Sequence, residues 1–332
     1  MQKTKRSNIL PIICLIVAFA VLMNCGPRSF TRSSSASESL GPGTFDRSIQ
    51  FGGLTRTYRI HIHPSFNKSR SIPLILAFHG HFGTGRTMER MTGFDDVSDA
   101  NGLVVVYPDG IGRSWNAGAE NGKAERDHID DVGFVSYLID ELASELPIDR
   151  LRVYATGISL GGIFTQRLGC ELSHKIAAIA PVAGNLASAV ARNCHPTRPI
   201  SVLMINGTDD SLVPWEGGQT GGGGQIVSVP VTMQLWAERN KCPTVPKVTP
   251  LVKDVISEMY APCEGGTEVA LYRVEGGGHT WPGGNQDLPP AVVGPTNNSL
   301  KASGAIWDFF AKHAKEATNR FHKKDRAMVL EG

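Results

Sequence analysis

The sequence is short of several features that would narrow a function at once. Neither sign of charge dominates, since 33 Lys and Arg face 31 Asp and Glu for a formal net charge of +2. That balance offers nucleic acid no basic surface. No segment recurs at a fixed period, which argues against a solenoid or propeller. Cys and His never fall at zinc-finger spacing. The one long apolar run, "ILPIICLIVAFAVLM" at residues 9–23, is too short for a comfortable membrane span. What is present is an ordinary globular composition of 41% hydrophobic and 7% aromatic residues over 332 positions. That is enough for one large domain or two small ones.

The apolar run follows a basic head of Lys3, Lys5 and Arg6, which is the arrangement of an export signal. It ends in "LMNC", where Cys25 resembles the lipidated cysteine of a bacterial lipobox, although Asn24 departs from the small residue usual there. Residues 1–25 are therefore expected to be a signal and 26–44 a flexible Ser/Gly/Pro tether. Residues 45–315 would form the domain and 316–332 a charged tail. The expected location is outside the cytoplasm, either anchored at the cell envelope through a lipid on Cys25 or secreted.

Four cysteines lie in the expected domain. An exported protein favours two disulfides, and four cysteines allow three connectivities. Pairing sequence neighbours gives Cys170–Cys194 and Cys242–Cys263.

Residues 47–51 and 56–64 flank Gly52-Gly53 and read as a hairpin. Residues 72–80, 103–110, 152–157, 176–184, 200–208 and 269–277 are nearly continuous apolar runs, as in parallel strands buried on both faces. Helical segments lie at 130–146, 231–242 and 303–315. The expected fold is α/β: a mostly parallel eight-stranded sheet with an N-terminal antiparallel hairpin, helices on both faces and no large lid domain.

"VYATGISLGG" at residues 153–162 places Ser159 between glycines where a strand turns straight into a helix. That is the pattern of a nucleophile elbow, Gly-x-Ser-x-Gly. An activated serine needs a base, an acid that orients the base, and donors for an oxyanion. In an open α/β sheet these groups belong at the carboxyl ends of the strands. One strand end carries "GTDDSLVPWEGG" with Asp209 and Asp210, another "GGGHTWPGG" with His279, and a third "HGHFGTG". The order Ser159, Asp, His279 is that of an α/β-hydrolase. The oxyanion donors would be the backbone N–H groups of Leu160 and His81.

These segments, with "YPDG", "SWNAG", "DDVGF" and "CELSHKIAAIAPVAGNL", resemble the secreted polyhydroxybutyrate depolymerase and feruloyl esterase family of α/β-hydrolases, over about residues 44–313. The resemblance implies that Asp210, the fourth position of "GTDD", is the triad acid; Asn206 stands where the family often has His, and Asp209 adds a second carboxylate.

Other conspicuous residues have plainer readings. His61 and His63 read as an exposed pair rather than a metal site. Asp127, Asp130 and Asp131 read as helix capping, and Asp109 as a turn residue. Trp115 and Trp281 are candidate aromatic walls of a substrate pocket, with core packing the alternative. Gly221 to Gly224 read as a mobile loop.

The expected function is an exported serine carboxylic-ester hydrolase, of feruloyl esterase or polyhydroxybutyrate depolymerase type, working through Ser159, His279 and Asp210 without cofactor or metal. Its partner would be a hydroxycinnamoyl, aryl or hydroxyalkanoate ester, not nucleic acid, and it would meet membrane only through a lipid anchor. An acyltransferase or peptidase, or a non-catalytic surface binding protein, are the alternatives.

Overall fold

The structure is a computed structural model and describes residues 40–119 and 122–315. The expected signal, Cys25, most of the tether and the charged tail lie outside the described residues. The strands are β1 (Gly43–Phe51), β2 (Leu54–Ile62), β3 (Ile72–Phe78), β4 (Val104–Pro108), β5 (Ile148–Ile158), β6 (Ala178–Val182), β7 (Ser201–Gly207), β8 (Gly218–Gln219), β9 (Gln225–Ile226), β10 (Lys247–Val252), β11 (Val255–Tyr260) and β12 (Val269–Val274). The helices are α1 (Gly85–Thr92), α2 (Phe94–Asn101), α3 (Lys123–Arg126), α4 (Asp131–Glu145), α5 (Leu160–Glu171), α6 (Ser188–Asn193), α7 (Val229–Arg239), α8 (Pro290–Val293) and α9 (Ala302–Phe310).

Ten strands form one sheet in the order β1-β2-β4-β3-β5-β6-β7-β12-β11-β10. The central run from β4 to β12 is parallel. The hairpin β1-β2 closes one edge and β11-β10 the other, both antiparallel. The sheet thus has two strands more than the eight expected. The hairpin β10-β11 escaped because β10, "KVTPLV", is exposed along most of its length. An edge strand carries no apolar run, and Pro250 is tolerated there because an edge need not donate every N–H.

Strand side chains alternate between two cores. In β3, Leu74, Leu76 and Phe78 enter one, while Ile75 and Ala77 enter the other. Phe134 of α4, Phe164 of α5 and Trp236 of α7 cover the first core, and Met88 of α1, Phe94 of α2 and Phe310 of α9 cover the second. Leu40 is buried and β1 begins at Gly43, so ordered packing starts inside the segment expected to be tether. Disulfides join Cys170 to Cys194 and Cys242 to Cys263, the pairing of sequence neighbours. The first ties α5 to the end of α6, and the second ties the segment after α7 to that after β11.

Candidate active site

β5 ends at Ile158 and α5 begins at Leu160, which leaves Ser159 alone on the turn at φ 58° and ψ −125°. A non-glycine residue held there is strained. Its N–H donates to Val182 O at 3.0 Å, and the residue is partly exposed. The flanking glycines are required by close backbone approach. A Cβ on Gly161 would lie 2.2 Å from Phe78 O, and one on Gly157 would lie 2.5 Å from Gly161 O.

The loop after β3 rests against this turn, since a Cβ on Gly80 would lie 3.2 Å from Ser159 Cβ. Buried His79 braces the loop. Its Nε2 accepts the Gly110 N–H at 3.0 Å, which leaves Nδ1 to carry the proton and donate to Gly80 O at 2.7 Å. Gly83 N–H donates to the same carbonyl at 3.0 Å. Trp115 Nε1 donates to His79 O at 2.9 Å. Burial lowers the His79 pKa to about 4, so the ring is neutral at pH 7. The Gly80 carbonyl and the His81 N–H share one planar peptide, so pinning the oxygen aims the N–H the opposite way. Neither the His81 N–H nor the Leu160 N–H donates a hydrogen bond among the described residues.

Asp210 follows β7 and His279 follows β12. The Asp210 side chain is buried, and its Oδ2 accepts from His279 Nδ1 at 2.8 Å. Its Oδ1 accepts the N–H groups of Leu212 at 2.9 Å and Val213 at 2.8 Å. The His279 N–H donates to Val293 O at 2.6 Å. Asp209 is exposed and its carboxylate accepts from Thr208 Oγ1 at 3.1 Å. Of the two neighbouring acids, Asp210 is therefore the one that meets the imidazole. Ser159 makes no side-chain hydrogen bond to His279 among the described residues. The two residues share the carboxyl edge of the parallel strands, and such bonds are often long before substrate binds.

No protein-family model matches the chain. The chain is similar to "Putative esterase NocK" of Nocardia uniformis subsp. tsuyamanensis, 34% identical over 283 residues that cover 80% of this chain and 82% of that one. The chain belongs to the feruloyl esterase-like family of α/β-hydrolases. It is a carboxylic ester hydrolase. Feruloyl esterase B of Piromyces equi is 32% identical over 228 residues, 64% of this chain but only 40% of that protein's length. The fold resembles that of a thermostable esterase, with TM-score 0.53 and 17% identity over 82% of this chain and 63% of that one. It also resembles acetyl xylan esterase from Aspergillus awamori, with TM-score 0.51 and 13% identity over 72% of this chain and 94% of that one.

In this esterase neither Trp115 nor Trp281 is a pocket wall, because both are 0% exposed. Trp115 stacks on Phe164 at 5.2 Å between ring centroids, and its N–H is spent on His79 O. Trp281 donates Nε1 to Ser303 Oγ at 3.0 Å and packs edge-on to Phe94. His61 and His63 are likewise buried rather than exposed. His61 bonds Thr44 Oγ1 at 2.7 Å and Asp99 Oδ1 at 2.8 Å. Among the described residues no group of three His, Cys, Asp or Glu side chains is placed to hold a metal ion.

Asp127, Asp130 and Asp131, around the start of α4, have separate roles. Asp130 caps the helix through Gly133 N–H, and Asp127 pairs with Lys123. Asp131 is buried against Arg56 at 2.7 Å, and its other oxygen accepts the Asn116 N–H at 2.8 Å. This pair anchors the Trp115 loop to β2. Asp109 does hold a turn, accepting Gly85 N–H and Thr57 Oγ1–H, each at 2.7 Å. Gly221 to Gly224 belong to the tip of the small β8-β9 hairpin. A cavity of about 760 Å³ opens behind the acid, lined by Asp209, Pro214, Trp215, Glu216 and Arg273 among others, and it includes neither Ser159 nor His279.

Two features were missed from the sequence. The His79 brace had a signal, a histidine directly before Gly80 in "FHGHFG". Phe82, exposed on the loop after β3, had none.

Proposed function

We propose that the esterase is exported and hydrolyses its substrates through a Ser159–His279–Asp210 triad and an acyl-enzyme. Ser159 Oγ attacks the ester carbonyl while His279 Nε2 takes its proton. The N–H groups of Leu160 and His81 receive the oxyanion. His279 then hands the proton to the leaving alcohol as the carbonyl–alcohol bond breaks. Water, deprotonated by His279, attacks the acyl-enzyme, and Ser159 regains its proton. Asp210 holds Nδ1–H throughout and stabilises the transient imidazolium. The observation that carries this reading is the buried Asp210–His279 bond on the sheet edge that also holds the strained Ser159 turn.

Soluble aryl and hydroxycinnamoyl esters and short hydroxyalkanoate oligomers fit best, in keeping with the name of the Piromyces relative. Two disulfides support an oxidising compartment. Cys25 would carry the lipid anchor; among the described residues no helix is long and apolar enough to cross a membrane.

A fluorophosphonate probe tests the triad directly. It should label the wild-type chain at Ser159 and leave Ser159→Ala unlabelled. Labelling that persists in the variant would remove Ser159 from its role. Turnover of methyl ferulate, aryl acetates and hydroxybutyrate oligomers should vanish with the label. For the anchor, radiolabelled palmitate should be taken up by wild type and not by Cys25→Ala; a wild type that takes up none is simply secreted.

A further inference from the structure

Phe82 occupies a position that neither core packing nor the backbone explains. The residue is 67% exposed, so it contributes little burial to folding. Its φ is +62°, in the left-handed region where glycine would be unstrained and a bulky residue is not. Its N–H donates to Arg113 O at 2.9 Å, and Arg113 itself has φ +58°. Two disfavoured residues therefore clasp where the loop after β3 meets the loop after β4. Strain of this kind collects at functional sites. The Phe82 ring lies flat on His81, with centroids 4.0 Å apart and planes 9° from parallel. The Gly80 next to His81 rests against Ser159. Partial burial, then the charge of Arg126, push the His81 pKa down, which keeps that ring neutral at pH 7.

We infer that the stacked rings of His81 and Phe82 form an aromatic face beside Ser159 that takes a planar aromatic ring of the ester, carried on either the acyl group or the leaving alcohol. The inference deepens the reading above and rests on it for the position of the reacting carbonyl. A flat ring laid over exposed Phe82 gains stacking and apolar burial together. An aliphatic ester gains little of either. This face takes the part that the buried Trp115 and Trp281 cannot play.

The test uses Phe82→Gly and Phe82→Ala. Glycine suits the backbone at this position, so Phe82→Gly should melt at or above the wild-type temperature while losing the ring. Two matched pairs then read where the ring binds. If the acyl ring is held, kcat/KM for methyl ferulate relative to methyl butyrate should fall about tenfold. If the alcohol ring is held, the fall should appear for phenyl acetate relative to methyl acetate. Both ratios staying within about twofold of wild type would overturn the proposal. So would equal losses on every ester together with a lower melting temperature, which would make Phe82 a packing residue.

A calorimetric titration of methyl ferulate into Ser159→Ala separates this idea from the catalytic one. Weaker binding on adding Phe82→Gly supports the aromatic face even if Ser159 proves not to be the nucleophile. Equal binding with and without the Phe82 ring, or no binding to either variant, overturns it.

Discussion

On the β3–β5 side of the proposed site the groups assigned to the reacting carbonyl are the Ser159 hydroxyl and two backbone N–H groups. On the β7–β12 side the assigned group is an imidazole, held by a buried carboxylate. The first side is shaped by what is absent, since Gly157 and Gly161 let the start of α5 press against β3 and β5, and by buried braces, His79 and Trp115. The second is shaped by one side-chain bond, Asp210 to His279, with the two Oδ1 contacts to Leu212 and Val213 holding the carboxylate still. Function on the first side should therefore tolerate a change of side chain at the donor Leu160 and fail at the braces. On the second side the functional residues themselves cannot be exchanged.

The largest effect should come from the one residue where both principles meet. Ser159→Ala should lower kcat by about 10⁶-fold, measured on any soluble ester the wild type turns over, with the folded circular dichroism spectrum kept.

On the side-chain side, Asp210→Asn should lower kcat by about 10⁴-fold, because an amide no longer sets the imidazole tautomer or balances its charge. Asp209→Asn, an exposed neighbour, should stay within about twofold. Equal losses would dissolve the distinction that the geometry makes between the two acids.

On the backbone side, His79→Phe keeps ring bulk against Trp115 and deletes the Nδ1–H to Gly80 O and the acceptor for Gly110 N–H. It should lower kcat by about tenfold or more, a fraction of what losing an oxyanion donor outright costs, with KM changed far less. The same variant has a pH signature. His79 is depressed to about 4 when folded against an ordinary value near 6.5. Between these values the unfolded chain binds the extra proton, so the stability from neutral His79 is complete above about pH 6.5 and is lost as pH falls toward 4. The loss is on the order of 3 kcal/mol. Asp95, raised by burial to about 6, acts in the opposite direction over much of the same range. The measurement is therefore the difference between wild type and His79→Phe in urea unfolding from pH 7 to 4. Parallel curves would show that His79 is not buried neutral.

The smallest effect sharpens the comparison most. Leu160→Met keeps the side-chain volume and the N–H, and kcat should stay within about twofold. A large loss would show that the Leu160 side chain, and not its backbone, faces the reaction.

The parts that could be read from the sequence are those written in local pattern. The central strands are apolar on both faces, so their runs stood out within a few residues of their observed ends. Ser159 was marked by glycines whose need is purely steric. Asp209, Asp210 and His279 were marked by standing just beyond strand ends, and the family resemblance singled out Asp210. β10 was missed because a solvent-facing edge strand has no burial pattern. Trp115 and Trp281 were left between pocket wall and core because a tryptophan just beyond a strand end reads alike whether it faces a cleft or the core; both are core. The burial of His61 and His63 does not show in their own strand, because α2, which packs over β2 and brings Asp99 to His61, lies more than thirty residues along the chain.

Fold class and the strand–turn–helix at Ser159 follow from residue type and spacing, because sterics and covalent geometry act over a few residues; the neighbour pairing of the cysteines was one of three connectivities that spacing allowed. Four things required the chain to be folded: that the aspartate the family resemblance points to is the one that meets His279, which face of each tryptophan is covered, what pins the Gly80 peptide, and which aromatic ring on the loop after β3 is left in solvent. Each depends on contact between segments tens of residues apart. The 2.8 Å bond from His279 to Asp210 spans 69 positions, and no pattern in either segment alone says which of two adjacent carboxylates the fold will turn inward.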